Sequence, residues 1–190
     1  GTITNIGLTN VDITGGDEVG GIVGFNHYTV SNSYVTGSVT GGDEVGGLVG
    51  VNFAVVVDSH YAGSVTGTGE YGETGNEYVG GLAGFNGNEK GTIGTSYATG
   101  NVTGDTYVGG LVGCAGSEMN TVSNSYAVGD VAGDTAVGGL IGHNNSSVSR
   151  CYAAGHVTGN TDVGGLAGQG NPDYVFDGFW DTETSGRNTS

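Results

Sequence analysis

Basic residues are almost missing from this chain: three Lys and Arg stand against 19 Asp and Glu, for a formal net charge of -16 over 190 residues. Nucleic acid is therefore excluded as a partner, because phosphate binding needs Lys and Arg. Docking on anionic membranes is disfavoured for the same reason. No run of about 18 apolar residues occurs, so no membrane insertion is expected. A basic segment leading into an apolar one is also lacking, so no signal peptide is legible, and the start at "GTITNIGLTN" reads as a mature fragment or a cut from a longer protein. Histidine appears only at His27, His60, His143 and His156, in no paired or HExxH spacing, which leaves metal-dependent catalysis without support. Cysteine appears twice and proline once. Glycine is plentiful at 43 residues, yet it follows no Gly-X-Y period, so collagen is excluded.

What the chain has instead is repetition. "VGGIVG" at 19–24 returns as "VGGLVG" at 45–50, "VGGLAG" at 79–84, "VGGLVG" at 108–113, "VGGLIG" at 137–142 and "VGGLAG" at 163–168, at spacings of 26, 34, 29, 29 and 26 residues. A second element follows each copy: "SYVTG" at 33–37, "HYAG" at 60–63, "SYATG" at 96–100, "SYAVG" at 125–129, "CYAAG" at 151–155, and "FWDTE" at 179–183 in the sixth slot. A third, of the form "VTG" or "VAG", leads into the next "VGG". From Ile13, Val39, Val102, Val131 and Val157 to the following "VGG" valine is always six residues, while an insertion around "TGEYGETGNEY" breaks the rule after Val65.

Val, Thr, Tyr and Ile fill the elements and Gly, Asn, Asp and Ser the gaps, which is strand-and-turn chemistry. Units of 26–34 residues with several short strands each predict an all-β fold. It is a β-solenoid, a parallel β-helix of about six coils, right-handed because parallel crossovers prefer that hand. Residues 1–168 form the repeat solenoid. Residues 169–190, with the only Pro and the only Trp, form an atypical last coil or C-terminal cap. The N-terminal "GTITNIGLTNVDITG" reads as a half-coil on which another repeat or another subunit stacks.

With these elements aligned, the chain resembles the GLUG family of repeats, through "GGLVG" or its variants, "NSYATG"-like and "VTG" segments in order; "GGLAGFN" at 80–86 with "TSYATGNVTG" at 95–104 is the nearest unit. "GFN" is kept at 24–26 and 84–86, whereas the fourth unit has "GCA" and the sixth "GQG". Such repeats are similar to those of secreted and surface-anchored bacterial and archaeal proteins, adhesin-like proteins and accessory regions of surface peptidases among them. The resemblance implies an extracellular scaffold or adhesive role and supplies no catalytic residues.

Three sets of side chains invite a chemical reading. Asn26, Asn52, Asn86 and Asn144 occupy equivalent places and predict an Asn ladder or Asn-assisted turn, with ligand contact as the alternative. Tyr34, Tyr61, Tyr97, Tyr126 and Tyr152, closed by Trp180, predict a half-buried aromatic ladder, which if exposed would make a sugar platform. Asp17, Glu18, Asp43, Glu44, Asp105, Asp134 and Asp162 fall in the spans before "VGG", and the inserted loop adds Glu70, Glu73 and Glu77. They read as solvated charge, with stacked carboxylates offering hard oxygen ligands to Ca²⁺ as the alternative; no cofactor is required. Cys114 and Cys151 fall in different repeat slots, as two buried thiols or, in an oxidising setting, a disulfide. Sequons begin at Asn101, Asn144, Asn145 and Asn188.

The function expected from these features is non-catalytic: an extracellular structural module serving as stalk, adhesin or filament building block. Its partners would be its own kind, end to end or laterally, or neighbouring repeats. A carbohydrate-binding module using the Tyr/Trp face is the alternative, with surface glycans as partners. A polysaccharide-active enzyme rests on fold analogy alone, and an ice-binding solenoid is opposed by Thr36, Thr99, Val128 and Ala154 sharing one slot.

Overall fold

The computed structural model describes residues 1–69, 77–87 and 90–187. Every strand pairing is parallel, and the chain winds as a β-solenoid of about six turns. Each coil runs through four short faces. In the second coil these are Thr29–Ser31, Tyr34–Gly41, Glu44–Gly46 and Val49–Asn52. The first two faces of all coils join into one 15-stranded sheet, and the last two form separate six-stranded sheets.

The register explains the repeat. Ile13, Val39, Val65, Val102, Val131 and Val157 stack directly on one another, as do Val19, Val45, Val79, Val108, Val137 and Val163. The motif leucines Leu48, Leu82, Leu111, Leu140 and Leu166 are all buried beside them. Because one side chain in two along each strand points inward, stacked columns of apolar side chains, mostly Val and Leu, fill the interior. Each such side chain contributes roughly 1.5–3 kcal/mol on burial.

The paired glycines of "VGG" have a steric cause. A Cβ on the first, Gly46, would run into the carbonyl oxygen of Val49 across the tight turn. A Cβ on the second, Gly47, would collide with the ring of Tyr61 and the carbonyl of Gly81. The second glycine thus leaves the room that an inward side chain from the opposite face occupies.

At the N-terminal end, Thr2–Thr4, Gly7–Thr14, Val19–Gly20 and Val23–Asn26 pair with the four strands of the second coil, so the first rung has all four faces and the opening stretch is not the half-coil that its sequence suggested. At the other end, Ala167–Gly170 is followed by a 3-10 turn at Pro172–Tyr174, and then Val175–Trp180 lies along Ser147–Ala154. A single helical turn at Thr182–Ser185 follows, capped by the Asp181 carboxylate and by Gly186 in the left-handed region.

Two of the expected ladder aromatics are out of place by one residue. His60, not Tyr61, lies between Tyr34 and Tyr97, and Phe179, not Trp180, lies over Tyr152. Tyr61 instead points inward, 1% exposed, in the column of Val35 and Ala98, with its hydroxyl donating to the carbonyls of Gly37 and Ser64. Trp180 pairs with Ala153 and covers Gly165. The cause is the corner that precedes them, where Asp58-Ser59 and Asp177-Gly178 set the phase of the strand that follows.

Candidate functional site

The corner between the first two faces is the most regular feature of the surface. Asn5, Asn32, Asp58, Thr95, Asn124, Arg150 and Asp177 all adopt the left-handed conformation, with φ between 48 and 57°. Asn and Asp tolerate that conformation because their short polar side chains bond locally, which is why they fill most of the row. In four of the seven the next residue is a buried serine, and its hydroxyl closes the turn. Ser33, Ser59, Ser96 and Ser125 each donate to the carbonyl two residues back, at 2.7–2.8 Å. The same oxygens accept the backbone N–H of the serine one coil below, at 3.1–3.2 Å. Cys151 takes this place in the fifth coil, its thiol donating to the Ser149 carbonyl. The third residue of the corner points out and forms the aromatic column: Tyr34, His60, Tyr97, Tyr126 and Tyr152.

These rings stack face to face, with centroids 5.2, 4.6, 4.8 and 4.9 Å apart and planes within 8° of parallel. The separation is that of neighbouring strands, so each ring covers the next. Edges and hydroxyls face the solvent, while the faces are spent on one another. Partial burial holds His60 below the ordinary histidine pKa, so it stacks as a neutral ring.

A second aromatic group, on the two six-stranded sheets, escaped the sequence reading. Phe25, Phe53 and Phe85 meet edge to face, and Phe85 stacks with Tyr78, which touches Tyr107. Its signal was the phenylalanine of "GFN" at 25 and 85 and that just after "GVN" at 53, together with the tyrosine just before "VGG" at 78 and 107.

The asparagines form a ladder inside the same end of the cross-section. Asn26 Nδ2 donates to Asn52 Oδ1 at 2.8 Å, and Asn52 Nδ2 to Asn86 Oδ1 at 2.8 Å. Ala115 interrupts the row in the fourth coil, where Asn120 supplies a bond to the Asn86 carbonyl instead. Asn144 resumes it alone.

The acidic residues do not share one row. Asp17 and Asp43 lie two places before the stacked valines, Glu18, Glu44 and Asp162 one place, and Asp105 and Asp134 three places. Among the described residues no three His, Cys, Asp or Glu come together as metal ligands. Burial and the neighbouring Asp17 push the Asp43 carboxyl up, and Glu44 is pushed up by burial and then by Asp43, Glu18 and Asp17. Glu77 is buried, which raises it, while the N–H groups of Asp105, Thr106 and Gly69 that it accepts pull the other way. Glu70, Glu73 and the sequon at Asn188 lie outside the described residues.

No disulfide joins Cys114 and Cys151: both are free and buried, on different sheets, Cys114 level with Phe85 and His143, and Cys151 in the serine row. Burial pushes the Cys114 thiol up to about 12 and raises that of Cys151, so neither is a reactive thiolate.

The last coil opens into a cleft of about 410 Å³ between the strand Ala167–Gly170 and the strand Val175–Trp180, with Leu166 at its base and Phe179, 65% exposed, at its mouth.

Parallel rungs, corner ladders and a core one side chain wide define the class: a β-solenoid repeat protein. The family model of the GLUG motif matches three of these repeats, at residues 15–40, 75–103 and 133–158. No curated protein and no solved structure matches the chain.

Proposed function

We propose that the chain is a non-catalytic structural module of an extracellular or cell-surface protein, a rigid stalk or adhesive segment built from GLUG repeats. The observation that carries this reading is the left-handed corner repeated through seven rungs, closed by serine or cysteine in five of them and followed by an outward ring in six. Such a ladder fixes a rod's cross-section and length. The half-covered Ile3, Leu8, Ile22 and Val23 at the N-terminal edge suit stacking by a further coil of the same kind. A glycan platform along the Tyr column is disfavoured, since a pyranose packs on ring faces and these are already covered. Antibody against the chain is expected to label intact, unpermeabilised source cells or the material around them. Label that appears only after permeabilisation would overturn the surface placement.

A further inference from the structure

The end of the asparagine row carries a contradiction. Asn26 and Asn52 each donate Nδ2 to the Oδ1 of the coil above, and Asn86, which lies under Ala115, donates to the Gly91 carbonyl, but the residue above Asn144 is Gly170, which has no side chain to offer. Asn144 is 1% exposed, and its Nδ2 is the one buried side-chain polar atom left without a partner among the described residues. The orientation of the amide is fixed from its other side: Oδ1 accepts the Ser146 N–H at 3.1 Å and the Ser146 hydroxyl at 3.0 Å. The free N–H therefore points up the ladder, toward Gly170 and the cleft whose wall both residues form. Gly170 cannot be exchanged for Asn to repair this, because at φ 140° a Cβ would run into the Asn144 carbonyl. A buried donor left unpaired is costly, and one retained beside a cavity points to a group that enters the cavity.

The rest of the lining narrows what that group is. Trp180, on the inward side of its strand, offers flat apolar surface, Phe179 on the outward side edges the mouth, and Val175 and Leu166 close the floor. Asp177 brings a carboxylate to the rim, and no Lys or Arg lines the cleft, so an anion has nothing to pair with. A shallower hollow shares Phe179 and Trp180 on the side of Tyr152 and Asp181. Needed is a neutral molecule with one apolar face, an acceptor for a buried amide, and hydroxyls that donate to a carboxylate.

We propose that the C-terminal cleft binds a neutral saccharide, one hexopyranose ring or two, with a C–H face on Trp180, Phe179 edging the mouth, and an oxygen accepting from Asn144 Nδ2. At about 410 Å³ it falls in the lower part of the range usual for small-ligand sites. The second hollow gives a neighbouring ring a place beyond the aromatic pair. This site stands whether or not the module is displayed on a cell, so its test is separate from the antibody experiment.

Trp180 is the only tryptophan, and its fluorescence reports on the cleft and the adjoining hollow that it lines. Titration with glucose, galactose, mannose, N-acetylglucosamine and their disaccharides is expected to give a saturable shift in emission for at least one of them, and none for uronic acids. Phe179→Ala, at an exposed site that leaves the circular dichroism unchanged, should weaken that response at least about tenfold. No saturable response to any neutral sugar, an unchanged affinity in Phe179→Ala, or a response to an apolar dye alone would each overturn the proposal.

Discussion

Thr95 is the residue least suited to its place. Left-handed backbone is strained for a β-branched side chain, and Thr95 holds φ at 48° where its neighbours in the row are Asp58 and Asn124. Its side chain is exposed, so nothing in the core argues against a change. Thr95→Asn is expected to stabilise the fold by about 1 kcal/mol. That is roughly 2–4 °C in melting temperature for a chain of this size. A melting temperature unchanged or lowered in Thr95→Asn would show that the corner is held by the buried serines and not by the preference of its first residue. Arg150 in the same row is similarly strained, but its Nε donates to Asn124 Oδ1 at 2.8 Å, which supplies a reason for it to stay.

At the scale of the element, the acidic turns respond to pH in a direction set by their surroundings. Asp43, Glu44 and Glu77 all hold their protons more tightly in the folded chain than in the unfolded one, because burial and mutual repulsion disfavour the charged forms. Above the ordinary carboxylate range and up to the raised values, the folded state therefore binds more protons, and stability falls as pH rises. The urea midpoint is expected to be higher at pH 5 than at pH 7, and the difference to shrink in Glu44→Gln. A midpoint that falls on acidification would mean that hydrogen bonds to these carboxylates outweigh their desolvation.

The coil itself was legible in the sequence because its apolar columns recur at fixed intervals: the six-residue step from Val39 to Val45 is the turn that closes one face onto the next. The GLUG resemblance rested on the same spacing. The aromatic column was legible only in part. Matching the chain on its tyrosines put Tyr61 beside Tyr97, whereas the physical phase is set one step earlier, by the left-handed residue and the serine that closes it. In the third coil that pair is Asp58-Ser59, so His60 comes next in line. Serine is too common, and its bond to a neighbouring carbonyl too local, for the corner to be recognised before the turn is seen. The cleft at Asn144 was hidden for another reason: a missing acceptor is a property of two stacked coils and of neither alone.

Across the whole molecule, charge is the term that packing does not balance. A net -16 wound into a compact rod repels itself, and the penalty falls as salt shortens the screening length from roughly 30 Å at 0.01 M to 3 Å at 1 M. The melting temperature is expected to climb between those two concentrations of sodium chloride; a flat response would mean that the carboxylates are too far apart for their repulsion to matter.

The shared register also makes the length of the protein a counted quantity. Tyr97 lies directly beneath Tyr126, and each follows a buried serine that opens the same turn. Excision of residues 97–125 would join Ser96 to Tyr126 and leave the corner whole, with His60 now meeting Tyr126. A gene encoding such a chain can gain or lose material by recombination between its own units, and every in-register product is again a rod, one strand spacing longer or shorter, about 4.8 Å. Variation in reach between descendants of this gene would then come in integer steps, with the terminal cleft carried unchanged at whatever distance those steps set.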